Sequence, residues 1–345
     1  MKNTILFVLI LSSCTSPKDS KSFFNDFPDE KNIKGKYLDF SAMLNQAFDI
    51  ELINNQLIVA DPDEYHFKTF DLENSNRLRR FGKIGEGPCE IIFPTTIQRI
   101  GNNSNTIGLY GRKNWKYQEM NIKAIDDKID SCYNQTSRAF NFNYQKLLKI
   151  SDSLFFGTGI FDLKFAMSRA NSNEFEVLDI PYPFTDGNAQ SGNVPMSQQG
   201  DLILKPSGDK ILCTTKYAPY FEILNINGEK EVKSSYVFEG WAPETKPNDD
   251  EKSISANLKQ ENKFGFISSS ATNNYIYLLF SGKDFSIDPY LSDIVLVYDW
   301  EGNKIKRFNL DHEVEFITVS SDDEFLISYH DDGKPNLTRY DLDGQ

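Results

Sequence analysis

The sequence predicts an all-β fold, a six-bladed β-propeller of four-stranded antiparallel blades, from three observations. First, aromatic residues make up 13% of the chain, with 27 Phe and 16 Tyr, and short apolar runs are bounded by Asn, Asp, Gly and Ser. Second, one apolar run and one turn motif recur six times. Third, a strand-like segment near the N-terminus can complete the last repeat. Long amphipathic helical patterns are scarce, so many short strands are the better interpretation.

The first mark of each repeat is an apolar run that follows a polar turn. The six copies are residues 57–60, 107–110, 154–157, 211–214, 275–280 and 325–328. Units of about 45–60 residues with four strands are typical of propeller blades. We expect the six runs to form the buried inner strands of six blades.

The second mark is an apolar residue, then Asp or Asn, then another apolar residue, and it predicts a turn. Its copies are residues 70–72, 120–122, 178–180, 224–226, 298–300 and 340–342. An Asp or Asn side chain accepts a hydrogen bond from the backbone two residues on, and a following Gly supplies positive φ. We therefore expect residues 299–303, with Gly302, to turn the chain into a return strand over residues 304–308.

The last blade is predicted to close through the N-terminal part of the chain. The sixth turn motif lies at residues 341–344, so the sixth blade lacks an outer strand of its own. The strand-like segment 36–40 precedes the first blade and is the natural donor. Because joining the first and last blades removes an exposed sheet edge, we expect this segment to pair there. The propeller is accordingly predicted over residues 34–345.

Residues 1–13 are predicted to be a signal peptide. One lysine precedes an apolar stretch too short to span a bilayer, and residues 11–14, Leu-Ser-Ser-Cys, resemble a bacterial lipobox. The alternative is an ordinary signal peptide with a chance cysteine. With the lipobox, Cys14 carries lipid and residues 14–33 form a flexible tether to the membrane. Thr15 does not resemble an inner-membrane retention signal, so we expect an outer-membrane lipoprotein on the periplasmic or surface face.

The net charge of −13 limits the classes of partner, and the cysteines limit the possible disulfides and zinc sites. Because phosphate contacts need clustered Lys and Arg, we expect no nucleic-acid partner. Cys89, Cys132 and Cys213 allow one disulfide, whose pairing the sequence does not give, or three buried free thiols, which is the favoured interpretation. The sequence contains no C-x-x-C pair, so a zinc ribbon is not predicted.

Residues 80–91 read Arg-Phe-Gly-Lys-Ile-Gly-Glu-Gly-Pro-Cys-Glu-Ile and follow the first predicted outer strand. This segment resembles the R-x-G-x-G-x-G-P-G-E-F type segment of TolB-like six-bladed β-propeller lipoproteins, common in Bacteroides-type bacteria. Four residues fall on that pattern: Gly85, Gly87, Pro88 and Glu90. Cys89 and Ile91 replace its usual Gly and Phe. The resemblance covers residues 36–345 and implies a fold and a location, but no reaction.

The same segment has two open interpretations, a blade-to-blade crossing packed by its glycines or a ligand cradle. It lacks the G-x-x-x-x-G-K-[ST] pattern of a P-loop. Its glycine spacing also differs from the dinucleotide-binding motif, and it follows an outer strand rather than opening a helix. A phosphate or dinucleotide site is therefore not predicted here.

No catalytic or metal-binding motif stands out in the sequence. His66, His312 and His330 form no H-E-x-x-H or H-x-H pattern, and no G-x-S-x-G elbow is present. The acidic clusters at residues 61–64 and 321–324 do not fit a calcium loop and are better explained as turns. We predict no metal and no cofactor, and we interpret His330 as part of an exposed turn.

Strand parity places the long loops on one face of the propeller. Every blade has an even number of strands, so every connection from an outer strand to the next inner strand returns to the same rim, opposite the Asx turns. Segments 82–94, 184–200 and 240–263 are such connections, and residues 249–260 of the last are expected to form a short helix. Binding residues are usually placed on loops of a rigid scaffold. The predicted ligand-binding residues are Lys83, Glu86, Glu90 and Trp241.

These observations favour a monomeric, non-enzymatic binding or assembly module for a glycan, a peptide or a partner protein. The alternative is a hydrolase or lyase that acts on a sugar or lactone at the central channel, which rests on analogy of fold. The channel discriminates between the two. Convergent carboxylates with Asn or His around a cavity would favour the enzyme, whereas a plug of Phe, Tyr and Ile would favour the binding module.

Overall fold

The computed structural model describes ten segments of the chain, and its strands form six sheets arranged as a propeller. The described residues are 26–40, 43–73, 78–87, 90–101, 105–124, 136–169, 175–184, 193–227, 231–246 and 255–342. Five sheets contain four antiparallel strands in sequence order, and one of these carries a fifth strand from the N-terminal part of the chain; the sixth sheet takes its fourth strand from there too. The predicted six-bladed propeller is confirmed. The predicted signal peptide, Cys14 and most of the tether lie outside the described residues.

The first three blades follow one another along the chain, and their strands are given from inner to outer. Blade 1 consists of β3 (Asp49–Ile53), β4 (Gln56–Ala60), β5 (Tyr65–Asp71) and β6 (Leu78–Lys83). Blade 2 consists of β7 (Pro94–Ile100), β8 (Thr106–Gly111), β9 (Lys116–Asn121) and β10 (Thr136–Ala139). Blade 3 consists of β11 (Tyr144–Lys149), β12 (Leu154–Gly159), β13 (Phe165–Arg169) and β14 (Phe175–Val177).

The last three blades repeat the pattern, and two of them recruit N-terminal strands. Blade 4 consists of β15 (Leu202–Leu204), β16 (Lys210–Thr214), β17 (Tyr220–Asn227) and β18 (Glu231–Phe238). Blade 5 consists of β19 (Phe266–Ala271), β20 (Tyr275–Phe280), β21 (Ser292–Asp299), β22 (Lys304–Val314) and β1 (Glu30–Ile33). Blade 6 consists of β23 (Phe316–Val319), β24 (Phe325–Asp331), β25 (Pro335–Asp341) and β2 (Lys36–Leu38).

The N-terminal closure is confirmed and has an unpredicted extension. Strand β2 pairs antiparallel with β25, with Tyr37 opposite Thr338, and supplies the missing outer strand of blade 6. Strand β1 pairs parallel with β22 and adds a fifth strand to blade 5. The N-terminal chain therefore covers the outer edges of two neighbouring blades.

The connections define two faces of the propeller. The loop face carries the connections from each outer strand to the next inner strand and the turns between second and third strands. The turn face carries the turns between first and second strands and between third and outer strands. These assignments follow from the strand order of the six sheets.

The prediction that the six apolar runs are inner strands is wrong, because they form the second strand of each blade. The second strand packs between the sheets of both neighbouring blades, and Leu57, Ile58 and Val59 of β4 are completely buried. The inner strand borders the central channel instead, so it carries polar side chains such as Asp49 and Glu51 of β3. Apolar continuity therefore marks the strand between blades, not the strand at the axis.

The described residues form six apolar layers, one between each pair of adjacent blades. Phe67 and Leu109 belong to the layer between blades 1 and 2, and Val59 and Ile327 to the layer between blades 6 and 1. The closing layer thus resembles the others in composition. Burial of apolar area on both faces of each sheet is the main stabilising contribution to this fold.

Short polar side chains tie adjacent inner strands together at the channel. Each inner strand is the edge strand of its sheet, so its free backbone groups need partners from the next blade. Four backbone N–H groups donate to hydroxyl oxygens of the preceding blade: Leu52 to Thr318 at 2.9 Å, Leu147 to Thr96 at 3.2 Å, Ile317 to Ser268 at 3.1 Å and Val319 to Ser270 at 3.1 Å. These bonds satisfy strand edges that would otherwise remain unpaired.

The Asx turns are confirmed in part. Asp299 Oδ1 accepts hydrogen bonds from the backbone N–H groups of Glu301 at 2.9 Å and Asn303 at 2.8 Å, and Gly302 has φ of 85°. The motif at Asp179 is wrongly placed, because blade 3 is short and its outer strand already ends at Val177. Asn225 lies inside β17, opposite Lys210, and not in a turn.

Helical structure is sparse in the described residues. One short helix, α1 (Asn193–Ser197), lies on the connection from blade 3 to blade 4, and a 3-10 turn spans Ile122–Ala124. The helix expected over residues 249–260 is wrong where it can be checked, because residues 255–260 are not helical and Leu258 forms a β-bridge with Thr245. His330 is also not in an exposed turn, since it lies in β24 and is 4% exposed.

Candidate functional site

A cavity of about 410 Å³ occupies the loop-face end of the propeller axis. All six inner strands contribute to its lining at or near their first residues: Asp49, Pro94, Lys146, Asp201 with Leu202, Ile267 and Phe316. We call this space the central cavity. It joins all six blades in one site, and its opening faces the side predicted to carry the binding loops.

An ion pair crosses the central cavity from blade 3 to the connection before blade 4. Lys146 Nζ lies 2.9 Å from Asp201 Oδ1. The backbone N–H of Asp201 donates to Thr214 Oγ1 at 2.8 Å, which fixes the start of β15. Burial opposes both charges, but their pairing outweighs it, so the pKa of Asp201 is lowered and the pKa of Lys146 is raised. Both groups therefore stay charged at neutral pH.

Asp49, at the start of β3, has no such partner. Its side chain is exposed to the water-accessible cavity but surrounded by the channel walls, and Oδ1 accepts a hydrogen bond from the Ile50 backbone N–H at 2.9 Å. Within the described segments, no basic side chain lies within ion-pair distance of it. Burial, followed by repulsion from Asp201, raises the pKa of Asp49 to about 6. Asp49 thus changes charge near neutral pH, while Asp201 does not.

Lys216 follows β16 and lines the same cavity. Its Nζ lies 5.4 Å from the centre of the Tyr290 ring, and among described residues no carboxylate lies within ion-pair distance. Burial lowers the pKa of Lys216, although the charge of Asp201 opposes the shift. The central cavity therefore holds one carboxylate and one ammonium group that the protein does not pair.

Exposed apolar side chains concentrate on the loop face. Of the ten large apolar residues that are exposed in the described chain, eight lie on loop-face connections: Phe48, Ile84, Phe93, Trp115, Phe184, Phe285, Ile287 and Tyr290. Phe48 and Phe93 line the cavity itself, and each is 60% exposed. A cluster of exposed apolar residues on one face marks an interaction surface more often than scattered residues do.

Three of these aromatic residues have strained backbones. Phe93, Trp115 and Phe184 have φ of 52°, 52° and 63°. Bulky residues rarely adopt positive φ, and such strain is concentrated at functional sites. The loop face therefore combines strained backbone with exposed aromatic side chains.

A buried ion pair forms part of the cavity wall. Lys164 Nζ contacts Glu222 Oε2, and the two side chains are 2% and 4% exposed. The Nζ atom also lies 4.8 Å from the centre of the Tyr220 ring. Cys213 lies beside this pair as a buried free thiol, as expected, and burial raises its pKa to about 11. Cys89 and Cys132 lie outside the described residues.

Of the loop residues predicted from the sequence, Lys83 is the last residue of β6, and Glu86 and Glu90 lie between β6 and β7, so all three are on the loop face. Glu90 Oε2 accepts a hydrogen bond from the Gly87 backbone N–H at 2.8 Å. A side chain on Gly85 would collide with the Glu90 carboxylate. The Glu90 side chain thus stabilises the loop to which it belongs, which supports the structural interpretation of this segment. Glu86 is exposed.

Trp241 lies on the connection from blade 4 to blade 5, also on the loop face but away from the central cavity. The side chain is partly exposed, and its Nε1–H donates to the Lys263 carbonyl oxygen at 3.0 Å. It lines a separate depression of about 300 Å³ with Glu244 and Lys259. The structure does not bring Trp241 together with the loop of Glu86, and ligand binding by these residues stays a prediction.

The charged residues of the central cavity were missed from the sequence. They lie at inner-strand starts and in loops far apart in the chain, and the inner strands themselves were assigned one strand too late. A partial signal is a charged residue at or just before the start of the strand that precedes an apolar run, as Asp49 and Asp201 show in two of the six blades. In the described residues, no group of three or more His, Cys, Asp or Glu side chains could hold a metal.

A family model for TolB-like 6-blade propeller-like proteins matches residues 25–322. The chain belongs to this family. The match confirms the resemblance seen in residues 80–91. No described helix of this TolB-like propeller is long and apolar enough to cross a bilayer.

Two solved structures are similar to this TolB-like propeller at low sequence identity. A putative exported protein from Bacteroides fragilis is 12% identical, with a TM-score of 0.56 over 91% of this chain and 100% of that one. The β-propeller domain of Cps50 (Swd1) from Myceliophteria thermophila is 10% identical, with a TM-score of 0.45 over 86% of this chain and 97% of that one. No curated protein matches the sequence. The likeness to the Bacteroides protein extends to the fold alone.

Proposed function

We propose that this TolB-like propeller is a cell-envelope lipoprotein that binds its ligand in the central cavity, through the loop face. The observation that carries the proposal is the pair of unpartnered charges, Asp49 and Lys216, in a cavity of about 410 Å³. Charged groups that lie inside a channel and that the protein does not pair are expected where a ligand pairs them. A glycan or a peptide suits such a site, and the loop face could also receive a partner protein.

A binding experiment tests the cavity. Purified protein is titrated with a panel of defined oligosaccharides and short peptides, and thermal unfolding reports binding. Asp49→Asn and Lys216→Ala should each abolish the shift in melting temperature that a binding probe causes in the parent protein. The control Lys113→Ala changes an exposed lysine that does not line the cavity. A probe whose shift persists in both cavity variants would show that the ligand binds elsewhere.

Trp241 offers the competing location. If Trp241→Ala weakens a bound probe by about 1–3 kcal/mol, as expected for an anchor residue, while the cavity variants bind normally, the site is the depression beside Trp241. We expect the opposite pattern. Ligand binding by the loop that carries Lys83, Glu86 and Glu90 is tested by the same titration with Glu86→Gln.

The anchoring part of the proposal rests on Cys14 and the outer-membrane expectation. Cys14→Ala should move the protein from the membrane fraction to the soluble fraction. Cys132→Ala is the matched control and should leave the protein in the membrane fraction. Continued detergent-dependent extraction of the Cys14 variant would contradict lipidation. Separation of inner and outer membranes then locates the parent protein.

One observation favours the alternative function, a hydrolase or lyase that acts on a sugar or lactone. Two carboxylates line one cavity with pKa values shifted in opposite directions, Asp49 raised and Asp201 lowered. Such a split suits a general acid and a general base. The Lys146 ion pair of Asp201 argues against a free base. Mass spectrometry of the probes after incubation tests for turnover, which Asp49→Asn should remove.

A further inference from the structure

The lining of the central cavity reverses the charge balance of the protein. The chain has 37 basic and 50 acidic residues, whereas the lining has four basic side chains and two acidic ones: Arg112, Lys146, Lys164, Lys216, Asp49 and Asp201. Lys146 and Lys164 are paired with Asp201 and Glu222. Arg112 and Lys216 remain, and in the described chain neither has a carboxylate within ion-pair distance. With the unpaired carboxylate of Asp49, the unpaired groups of the lining are two cations and one anion, and a site of net positive charge attracts a ligand of the opposite sign.

The same lining offers hydrogen-bonding groups without partners. Gln198 is 5% exposed, and its Oε1 has no donor among the described residues. Its Nε2 already donates to the Pro183 carbonyl oxygen, so the Oε1 orientation is set. Thr95 Oγ1 is likewise buried without a partner. Leaving such atoms unpaired is costly, and hydroxyl groups of a ligand can pair with them.

The aromatic rings at the opening and the size of the cavity also suit a sugar. The exposed rings of Phe48 and Phe93 stand at the edge of the cavity. An aromatic face packs against the apolar face of a sugar ring and leaves the ring hydroxyls free for polar contacts. A cavity of about 410 Å³ has room for one or two sugar units.

We propose that the central cavity binds a saccharide that carries a carboxylate, a uronic-acid unit of a glycan. Lys216 and Arg112 bind the carboxylate, Gln198 and Asp49 bind ring hydroxyls, and Phe93 packs against the ring. The proposal rests on the proposed function, since it names the ligand class of that same cavity. It requires no reaction at the bound sugar.

Calorimetric titration with matched probes tests this assignment. The acidic probes are the disaccharides of galacturonate, glucuronate and mannuronate, and the neutral probes are the corresponding disaccharides of galactose, glucose and mannose. Citrate serves as a carboxylate without a sugar ring. We expect at least one acidic disaccharide to bind at least tenfold more tightly than its neutral counterpart and more tightly than citrate. Lys216→Ala and Arg112→Ala should each weaken it tenfold or more, and Lys113→Ala should not.

The outcomes separate the ligand class from the proposed function. Equal binding of a neutral disaccharide, lost in Gln198→Leu but kept in Lys216→Ala, would overturn the uronic-acid assignment and leave the binding function standing. Citrate binding as tightly as the acidic disaccharides would overturn the saccharide. If none of the sugar probes binds, the uronic-acid assignment is wrong, and a peptide that binds and depends on Lys216 would still support the cavity.

Discussion

The two ends of the central channel are built from the same six strands but hold cavities of different size. We call the end with the larger cavity, at the loop face, the open end, and the other, at the turn face, the closed end. At the loop face the cavity measures about 410 Å³, whereas the pocket at the turn face measures about 60 Å³. At the closed end Arg99, from blade 2, donates to Glu51 and to the Leu52 carbonyl oxygen of blade 1. At the closed end, the charged side chains of Arg99 and Glu51 therefore join two blades. The open end leaves Asp49 and Lys216 without partners, which is why we place the ligand there.

The largest expected effect is a loss of folding stability when the buried ion pair in the cavity wall is broken. Lys164→Met leaves the carboxylate of Glu222 buried without a counter-charge, and such changes cost about 3–5 kcal/mol. Urea unfolding should show this loss. Lys164→Met combined with Glu222→Leu should recover most of it, because no unpaired charge remains. A single variant that loses less than about 1 kcal/mol would mean that Glu222 is neutral or finds water.

The second effect tests the closed end through its pH dependence. Burial raises the pKa of Glu51 to about 7, although Arg99 opposes the shift. Below the unfolded pKa both states are protonated, and above pH 7 the folded state must hold a disfavoured carboxylate. Stability from this group is therefore lost as pH rises from 4.5 to 7. Glu51→Gln should match the parent at pH 4 and exceed it at pH 8, by on the order of 1–3 kcal/mol.

The control for that experiment is Glu64→Gln, at an exposed position on the connection between β4 and β5. Its difference from the parent should be the same at pH 4 and pH 8. If Glu51→Gln loses stability at pH 8, the Arg99 pair contributes more than the burial of Glu51 costs, and the closed end is stabilised by its charges.

The smallest effect concerns the unpaired lysine of the open end. Lys216→Met removes an ammonium group whose pKa burial has lowered. We expect a change of no more than about 1 kcal/mol at pH 7, and in the stabilising direction, because a partly buried, unpaired charge is removed. Urea unfolding beside Lys164→Met makes the comparison direct. A large loss in Lys216→Met would show that the ammonium is structural and would weaken the case for a ligand.

The blade repeat could be predicted from the sequence because its signals are local. The Asp299 turn is stabilised by bonds to backbone groups two and four residues on, so the pattern is visible in five consecutive letters. The closing strand at residues 36–38 could be predicted because the last repeat lacked one. Strand β1, Glu-Lys-Asn-Ile, carries no strand signal of its own, and its conformation depends on pairing with β22.

The candidate site could not be predicted in the same way. Asp49, Lys146, Asp201 and Lys216 meet only because six strands converge on one axis, and no spacing in the chain records that convergence. The misassigned inner strands removed the remaining signal, since the apolar second strand is easier to recognise than the polar strand beside the channel. The loop face itself followed from strand parity, which needs only the strand count.

The parallel pairing of β1 with β22 has a mechanical consequence. The chain enters at the turn face, where Phe27 packs against Tyr298, and runs along β22 toward the loop face. Tension applied to the chain ahead of Glu30 in the direction of the strand axis loads the four register pairs from Glu30 to Ile33 together in shear. They cannot open one after another from the end. A short, half-exposed strand can therefore resist a pull along its length and pass the force to β22 of blade 5 before it reaches β2.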